Sequence, residues 1–399
     1  MTTYYVSKTG LDVNTGLSGS GAKLTINSAL GVATSDGDVV EIIDEGDYNE
    51  GNLWPAAANM VIKHTASWLG RPKIYGTGLG GNDGTRAFQP SSTNTTYIGL
   101  EISNYSADVF QDLGAGYDKF HMSGCFVHDV PSLGSSRITN TDVSTPTTLK
   151  QCIMFFEPGI SSPIINGGYM EISNCLITSS NTSLDWPLIE DSSNFGTASF
   201  STIINRGTTS KSTVLLSKVI NCIVYSTTAG DGIASDDQDY NLATVPGHAF
   251  KNKADSANAA TGSNSAFTTY ASLGFVDGTA VGGSVTIAPN YDIQASSVAV
   301  DAGTAYDGIV VDITGTVRPW GNPPGGTFDI GCFEYMNPWV NQTDEEEFPF
   351  STDFTNNHYS NMNANQKFRF LNNPKQVPFS RGVKGPATLR GRNTPYKAE

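Results

Sequence analysis

The side chains with the type and spacing for chemistry are few in this chain of 399 residues. The densest carboxylate group is Asp236, Asp237 and Asp239, just before Tyr240-Asn241. Hydrolysis of a glycosidic bond needs two carboxyl groups about 5–9.5 Å apart. These three aspartates are therefore the weak catalytic candidates. A second group, Asp185, Glu190 and Asp191, lies near Trp186, whose indole suits stacking on a sugar. The plainer reading is that loop aspartates make turns and stay solvated. Asp231-Gly232 reads as a turn on the same grounds.

The five histidines, His64, His121, His128, His248 and His358, lack the spacing of a metal site. His128-Asp129 falls at a strand end and is expected to hydrogen-bond locally. Gly78–Gly84 lacks the Lys-Ser/Thr that would make it a phosphate-binding loop. No cofactor is expected.

The cysteines are more informative. Four of the five sit in one recurring pattern: a small or polar residue, a buried-type residue, then two strand residues. It appears as Gly99-Leu100-Glu101-Ile102, Gly124-Cys125-Phe126-Val127, Gln151-Cys152-Ile153-Met154, Asn174-Cys175-Leu176-Ile177 and Asn221-Cys222-Ile223-Val224. A weaker copy is Ser201-Thr202-Ile203-Ile204. The second position falls at 100, 125, 152, 175, 202 and 222, so five intervals span 122 residues, or 24.4 each. Cys125, Cys152, Cys175 and Cys222 thus share one phase. Free cysteine is among the most buried residue types, and a file of thiols inside stacked coils is the simplest account. One cysteine per coil does not converge tetrahedrally, so no metal site is expected there. The preceding Gln151, Asn174, Ser201 and Asn221 suggest a polar ladder at a turn.

A repeat of this length specifies the elements that must position everything else. One such coil cannot bury its own apolar face, so several must stack and the ends must be capped. The expected fold class is all-β: a right-handed, single-stranded parallel β-helix of about 24 residues per coil, with an extended C-terminal arm. The expected division is 1–50 for a cap and first coil, 51–335 for the helix body with a closing segment, and 336–399 for the arm. Weaker coils are expected at Val39–Ile43, Met60–Lys63 and Lys73–Tyr75, and a short helix at Ile26–Ala33. Gly76–Thr85, Thr139–Thr148 and Thr178–Phe195 read as projecting loops. Only 15% of residues are charged, which suits short strands and many turns better than surface helices.

The two ends carry a family resemblance. Tyr4-Tyr5-Val6-Ser7-Lys8-Thr9-Gly10, Asn14-Thr15-Gly16, Leu24-Thr25-Ile26, Ala29-Leu30, Gly37 through Ile42, Gly46, Tyr48 and Glu50 resemble the N-terminal cap of pectate-lyase-like β-helix proteins. The stretch 275–335 resembles the closing segment of bacterial and phage members. It contains Phe275-Val276-Asp277, Val300-Asp301-Ala302-Gly303, Asp312-Ile313-Thr314-Gly315, Arg318-Pro319 and Asp329-Ile330-Gly331-Cys332-Phe333-Glu334-Tyr335. The resemblance implies a capping strand, a helix closing the open end, then the first coil. It does not select an activity, because the fold hosts lyases, hydrolases, adhesins and virion parts. Lyases of the superfamily need Ca²⁺-binding carboxylates beside a base that takes the sugar C5 proton. None of Lys150, Lys211, Lys218, Arg137 and Arg206 is expected to share a phase with a carboxylate cluster on adjacent coils. No enzyme signature is legible, and the balance leans away from an enzyme.

Charge is strongly segregated. Residues 361–399 hold eight basic groups and one acidic group, a net +7, leaving −22 on the first 360. An acidic body repels nucleic acid and anionic membrane, so neither is an expected partner. Pro374, Pro378, Pro386 and Pro395 forbid a continuous helix in the last forty residues or so. Trp339, Phe368, Phe370 and Phe379 supply aromatic anchors, and Arg369, Arg381, Lys384, Arg390, Arg392 and Lys397 supply cationic contacts. The N-terminus shows no basic-then-apolar leader, and an odd number of cysteines argues against a disulfide framework. Assembly in a host cytoplasm is the matching expectation. Together these features predict a virion structural protein of a tailed bacteriophage. It would be a capsid decoration or cement protein, or tail-associated, held through its arm to other virion proteins. A homo-oligomer, a trimer by fold analogy, is expected. The alternative is a carbohydrate-binding or polysaccharide-degrading tailspike-type enzyme acting on a surface glycan. A third, an extracellular adhesin or filament subunit, requires a secretion route.

Overall fold

A computed structural model describes residues 1–335 apart from 65–70, 77–85, 91–93, 107, 111–119, 131–137, 141–145, 157–162, 180–186, 192–194, 206–212, 227–231, 244–249, 252–265, 270, 278–289, 307, 315 and 320–326. The arm, 336–399, lies outside the described residues, as do Gly78–Gly84, Arg137, Asp185, Trp186, Arg206, Lys211 and His248.

Strands of two to five residues stack into three parallel sheets. The first sheet has ten strands, running from Thr3–Val6 through Val39–Ile42 to Lys218–Ile220 and Asp237–Asp239. The second, also of ten, runs from Asp47–Asn49 to Ala266–Phe267. The third has six, from Ile138–Asn140 to Phe250–Lys251. Bridges joining Leu53, Phe88, Phe110 and Ile138 continue that third face toward the N-terminus. The chain is a parallel β-helix. Two expected loops are shorter than predicted. Thr139 and Thr147–Thr148 belong to strands, and Thr178–Phe195 contains the strand Ile189–Asp191. Strand pairing across coils outweighed the polar, turn-like composition of both stretches.

Alternation of side chains fills the interior. On the first sheet Val40, Ile62, Tyr97, Met122, Leu149, Ile172, Ala198 and Val219 stack inward. On the second, Tyr48, Ile74, Ile102, Val127, Met154, Ile177, Ile203 and Val224 do the same. Phe88, Phe110 and Phe120 stack with centroids 5.4 and 5.0 Å apart in the early coils. The N-terminal end is closed by the helix Ile26–Leu30, which buries Ile26, Ala29 and Leu30. It ends three residues short of the expected boundary, where Gly31 takes over as its C-cap. The Glu50 carboxylate accepts from the amides of Ile26 and Asn27 at 2.9 and 2.8 Å. Thr25 Oγ1 accepts from the Ser28 amide. The first-turn donors of the helix are thus satisfied by side chains.

From the strand Thr95–Ile98 to the strand Asp237–Asp239, each coil turns between the first and second sheets through one left-handed residue. Gly99, Gly124, Gln151, Asn174, Phe200, Asn221 and Tyr240 all have φ between 46° and 67°. The next residue points inward, giving the file Leu100, Cys125, Cys152, Cys175, Ser201, Cys222 and Asn241. The weak sequence copy was therefore set one residue late. Ser201, not Thr202, occupies the file, and Phe200, not Ser201, occupies the turn. All four file thiols are fully buried. Those of Cys152, Cys175 and Cys222 donate to the carbonyl two residues earlier at 3.2–3.3 Å. Ser201 Oγ does likewise at 2.9 Å. Burial pushes the Cys125 and Cys152 thiols far up and that of Cys222 to about 12. These thiols are packing groups, not nucleophiles.

Candidate functional site

Three features outside the core bear on function: the latch that holds the closing segment, a polar face on the first sheet, and a charged cluster on the second.

The latch begins with the outward column of the second sheet, which changes character along the axis. Asp47, Lys73 and Glu101 give way to Phe126, Ile153, Leu176, Thr202, Ile223 and Leu242. The apolar half receives Leu273, Phe275, Tyr291, Ile293, Ala299, Ile313, Ile330, Cys332 and Phe333, which form with it a second buried core. The left-handed column supplies the polar contacts. Gln151 and Asn174 donate to the carbonyls of Asp312 and Val311 at 3.1 and 2.7 Å. Asn221 donates to Thr304 O and accepts from Thr304 N at 2.7 and 3.0 Å. The expected ladder of polar side chains therefore reads the closing segment.

Arg318 is the pin. Its Nη1 donates to Asp329 O and Glu334 Oε2 at 3.1 and 3.2 Å. Its Nη2 donates to Gly331 O and Asn174 Oδ1 at 2.8 and 3.3 Å. The guanidinium also lies 4.6 Å from the Phe200 ring centroid. Asp312 accepts from the amides of Thr314, Thr316 and Glu334, and Asp329 accepts from those of Asp301 and Tyr335. Gly331 has φ 97°, and a Cβ there would lie 2.8 Å from Ile223 and Thr202. The Asp-Ile-Gly-Cys-Phe-Glu signature is thus a fastening, with each member placed for closure.

The polar face belongs to the first sheet. Register stacks His121, Thr148, Glu171, Thr197, Lys218 and Asp237 in one outward column. Lys218 Nζ lies 2.8 Å from Asp237 Oδ2 and 5.3 Å from the Tyr306 ring centroid. The hydrogen bond to Asp237 raises the Lys218 pKa, outweighing the opposing effect of burial. Lys218 is therefore in phase with a carboxylate on the next coil, contrary to the sequence expectation. Strand alternation could have located it, because Lys218 and Asp237 each open a strand. Of the weak catalytic candidates, Asp237 lies in this column, Asp239 in the neighbouring outward column and Asp236 just before the strand. Asp237 forms an ion pair with a lysine rather than a carboxylate pair. Glu190 and Asp191 lie apart, in the third sheet.

On the second sheet, His128 is buried with both ring nitrogens engaged: Nε2 is 3.0 Å from Glu101 Oε1 and Nδ1 is 2.9 Å from Asp129 Oδ2. Phe126 packs on the imidazole at 4.3 Å. Burial raises the Glu101 pKa, but the hydrogen bond from His128 and the charges of His128, Lys73 and Arg71 outweigh it and hold the carboxyl below its usual range. The sequence pattern pointed to His128-Asp129 but not to Glu101, which arrives from the preceding coil. Calcium needs several oxygen ligands, and in this cluster both carboxylates are turned onto an imidazole. The donor set does not fit the lyases' cation. Among the described residues no group of three or more His, Cys, Asp or Glu is arranged to hold a metal ion.

The fold and these sites define a parallel β-helix with a latched closing segment. No protein-family model matches the sequence, and no curated protein matches it. Among solved structures the chain is similar to pectate lyase Pel9A, at 12% identity and TM-score 0.41, covering 84% of this chain and 97% of that one. It is also similar to a rhamnogalacturonan lyase, at 13% identity and TM-score 0.30, covering 61% and 69% of the two chains.

Proposed function

We propose that the chain is a structural component of a tailed-phage virion. In this reading a rigid β-helix is tethered to other virion proteins, of capsid or tail, through residues 337–399. The observation that carries the reading is the latch. Buried contacts of Arg318, Asp329 and Glu334 fasten the chain up to Tyr335 on the side of the helix. Tyr335, which residues 337–399 follow in sequence, is therefore held at a fixed point on the body. That C-terminal stretch is rich in aromatic residues and carries +7 over its last 39 positions, chemistry suited to an acidic, partly apolar partner surface. Binding by such a segment has to offset its ordering entropy, so many contacts or many copies are required. The many identical subunits of a particle supply the second condition.

Deleting residues 337–399 tests the reading in a particle-binding assay, with thermal unfolding of the body as the folding control. The expected result is loss of attachment with the β-helix still folded. A milder variant, Arg390→Gln with Arg392→Gln and Lys397→Gln, should weaken attachment and flatten its salt dependence. Full attachment by the truncated chain refutes the reading.

A further inference from the structure

The two long sheets end differently at the N-terminal cap. The edge strand of the first, Thr3–Val6, is covered. The Tyr5 amide donates to Gly16 O at 2.7 Å, and the Ser7 and Lys23 amides donate to Lys23 O and Tyr5 O, both at 2.9 Å. The edge strand of the second, Asp47–Asn49, pairs with Lys73–Tyr75 on one side, and among the described residues no strand pairs with its other side. Asp47 and Asn49 are exposed. An open edge presents unpaired N–H and C=O groups and is a template for another extended chain. The charges around it are Asp44, Glu45, Asp47 and Glu50 against Lys8 and Lys73, an excess of two negative charges. Glu41 and Lys63 cancel in an ion pair at 3.2 Å, and the charge of Arg71 acts on Glu101 of a later coil. Burial holds the nearby His64 below its usual range, so it adds no cation at neutral pH. Asp44 and Glu50 are bonded within the cap, and Lys8 lies 4.1 Å from the Tyr48 ring centroid. Glu45 and Asp47 are the exposed acids of this edge.

We propose that, in the unattached protein, residues 366–371 of the same chain occupy this edge as an added strand. That stretch, Gln366-Lys367-Phe368-Arg369-Phe370-Leu371, alternates cationic and aromatic residues at 367–370, the period of a strand, and holds no proline or glycine. From Pro374 onward the sequence is interrupted by Pro378, Gly382, Gly385, Pro386, Gly391 and Pro395, residues that strands avoid. Laid along Asp47–Asn49, Lys367 and Arg369 continue the outward column of Asp47 and offset the two excess charges. The alternation sends Phe368 and Phe370 to the side of Tyr48. The closing segment already runs toward this end. Gly331 donates to Asn221 O, Cys332 to Thr202 Oγ1 on the preceding coil, and Glu334 to Asp312, whose carbonyl Gln151 holds. From Ile153–Phe156, which follows Gln151, four strand steps lead to Asp47–Asn49, about 19 Å at about 4.8 Å each. Tyr335 and Gln366 are 31 residues apart, a length that spans up to roughly 100 Å. Covalent connection makes the encounter intramolecular, so a contact too weak to join separate chains suffices. Docked there, the segment covers the open edge and is withheld from the acidic bodies of other copies until a tighter partner takes it.

The test uses the full chain, free of particles, and hydrogen exchange read by mass spectrometry near neutral pH. Amides of residues 368–371 should exchange about tenfold or more slower than in a free peptide of the same sequence. Joint Glu45→Lys and Asp47→Lys, at two exposed positions, should remove that protection with thermal unfolding of the body unchanged. Arg369→Pro, which leaves the edge itself untouched, should remove it as well. The protection should be constant over about a hundredfold range of protein concentration. Carbodiimide coupling should join Lys367 to Glu45 or Asp47 within one chain. Exchange of 368–371 at the free-peptide rate, protection that survives the charge reversal, or protection that grows with concentration overturns the proposal. Every readout is taken on the free protein, so its failure and a failure of particle attachment are separate results.

Discussion

Replacing Arg318 with alanine should release the closing segment while leaving the coils beneath it intact. The guanidinium makes four hydrogen bonds and covers the face of Phe200. The side chains of Arg318 and Glu334 are 0% and 3% exposed. Removal therefore strands a buried carboxylate, and breaking a buried pair from one side typically costs about 3–5 kcal/mol. At 1.36 kcal/mol per decade this is roughly a 150- to 5,000-fold rise in the population of the opened segment. Hydrogen exchange reads that population directly. The amides of Gly303, Ile313, Ile330 and Gly331, which bond to Phe328, Cys332, Ala299 and Asn221 carbonyls, should lose protection by that factor. Amides inside the first sheet, such as Ile172, should keep theirs. Joint replacement by Arg318→Met and Glu334→Gln removes both charges and should recover at least about 1–2 kcal/mol of the loss. A loss below about 1 kcal/mol for Arg318→Ala, the scale of an exposed ion pair, would refute the latch. Equal deprotection of both regions would refute it as well.

Other consequences are as direct. Gly124→Ala should cost roughly 1–2 kcal/mol from its left-handed φ alone, since nothing lies within 4 Å of the added Cβ. Gly99→Ala should cost more, because its Cβ would sit 2.8 Å from the His64 carbonyl oxygen; urea unfolding of the two variants ranks them. The five free cysteines are all buried, so a thiol reagent at mildly alkaline pH should label none in the native protein and all five in denaturant. Cys152→Ser should cost no more than about 1 kcal/mol, because Ser201 already donates to the matching carbonyl in the same file. Burial pushes the Asp329 carboxyl up to about 6 from its ordinary value of 3.8, against the hydrogen bonds from Asp301 and Tyr335 and the charge of Arg318. A raised carboxyl pKa means that the folded state binds the extra proton between those values, so closing-segment stability should fall as pH rises from about 4 to 6. Hydrogen exchange across that window should show the slope in the parent and not in Asp329→Asn.

The repeat was legible because interior positions tolerate so few residue types. Cys125, Cys152, Cys175 and Cys222 marked the phase and gave the coil length. The copy at 201 misled by one position because Phe200, a bulky aromatic, occupies a left-handed turn that in the other quoted copies takes glycine, asparagine or glutamine, and only Tyr240 on a later coil does the same. Its ring is used by Arg318 and stacks near Phe328 at 5.8 Å, a tertiary reason that no local pattern carries. A further signal was present but unread. Cys152 through Phe156 and Cys175 through Ile177 are apolar without alternation, the mark of strands buried on both faces, and the cover is the closing segment. The candidate sites were less legible because their members come from different coils. Glu101 and His128 are 27 residues apart, and Lys218 and Asp237 are 19 apart.

In the proposed role, residues 337–399 hold the body in a larger assembly. Cross-linking mass spectrometry on intact particles tests it most directly, using Lys367, Lys375, Lys384 and Lys397 as reporters. Cross-links from these four lysines to a different virion protein are the predicted result. Cross-links confined to the lysines' own chain, or recovery of the protein free of particles, would contradict it.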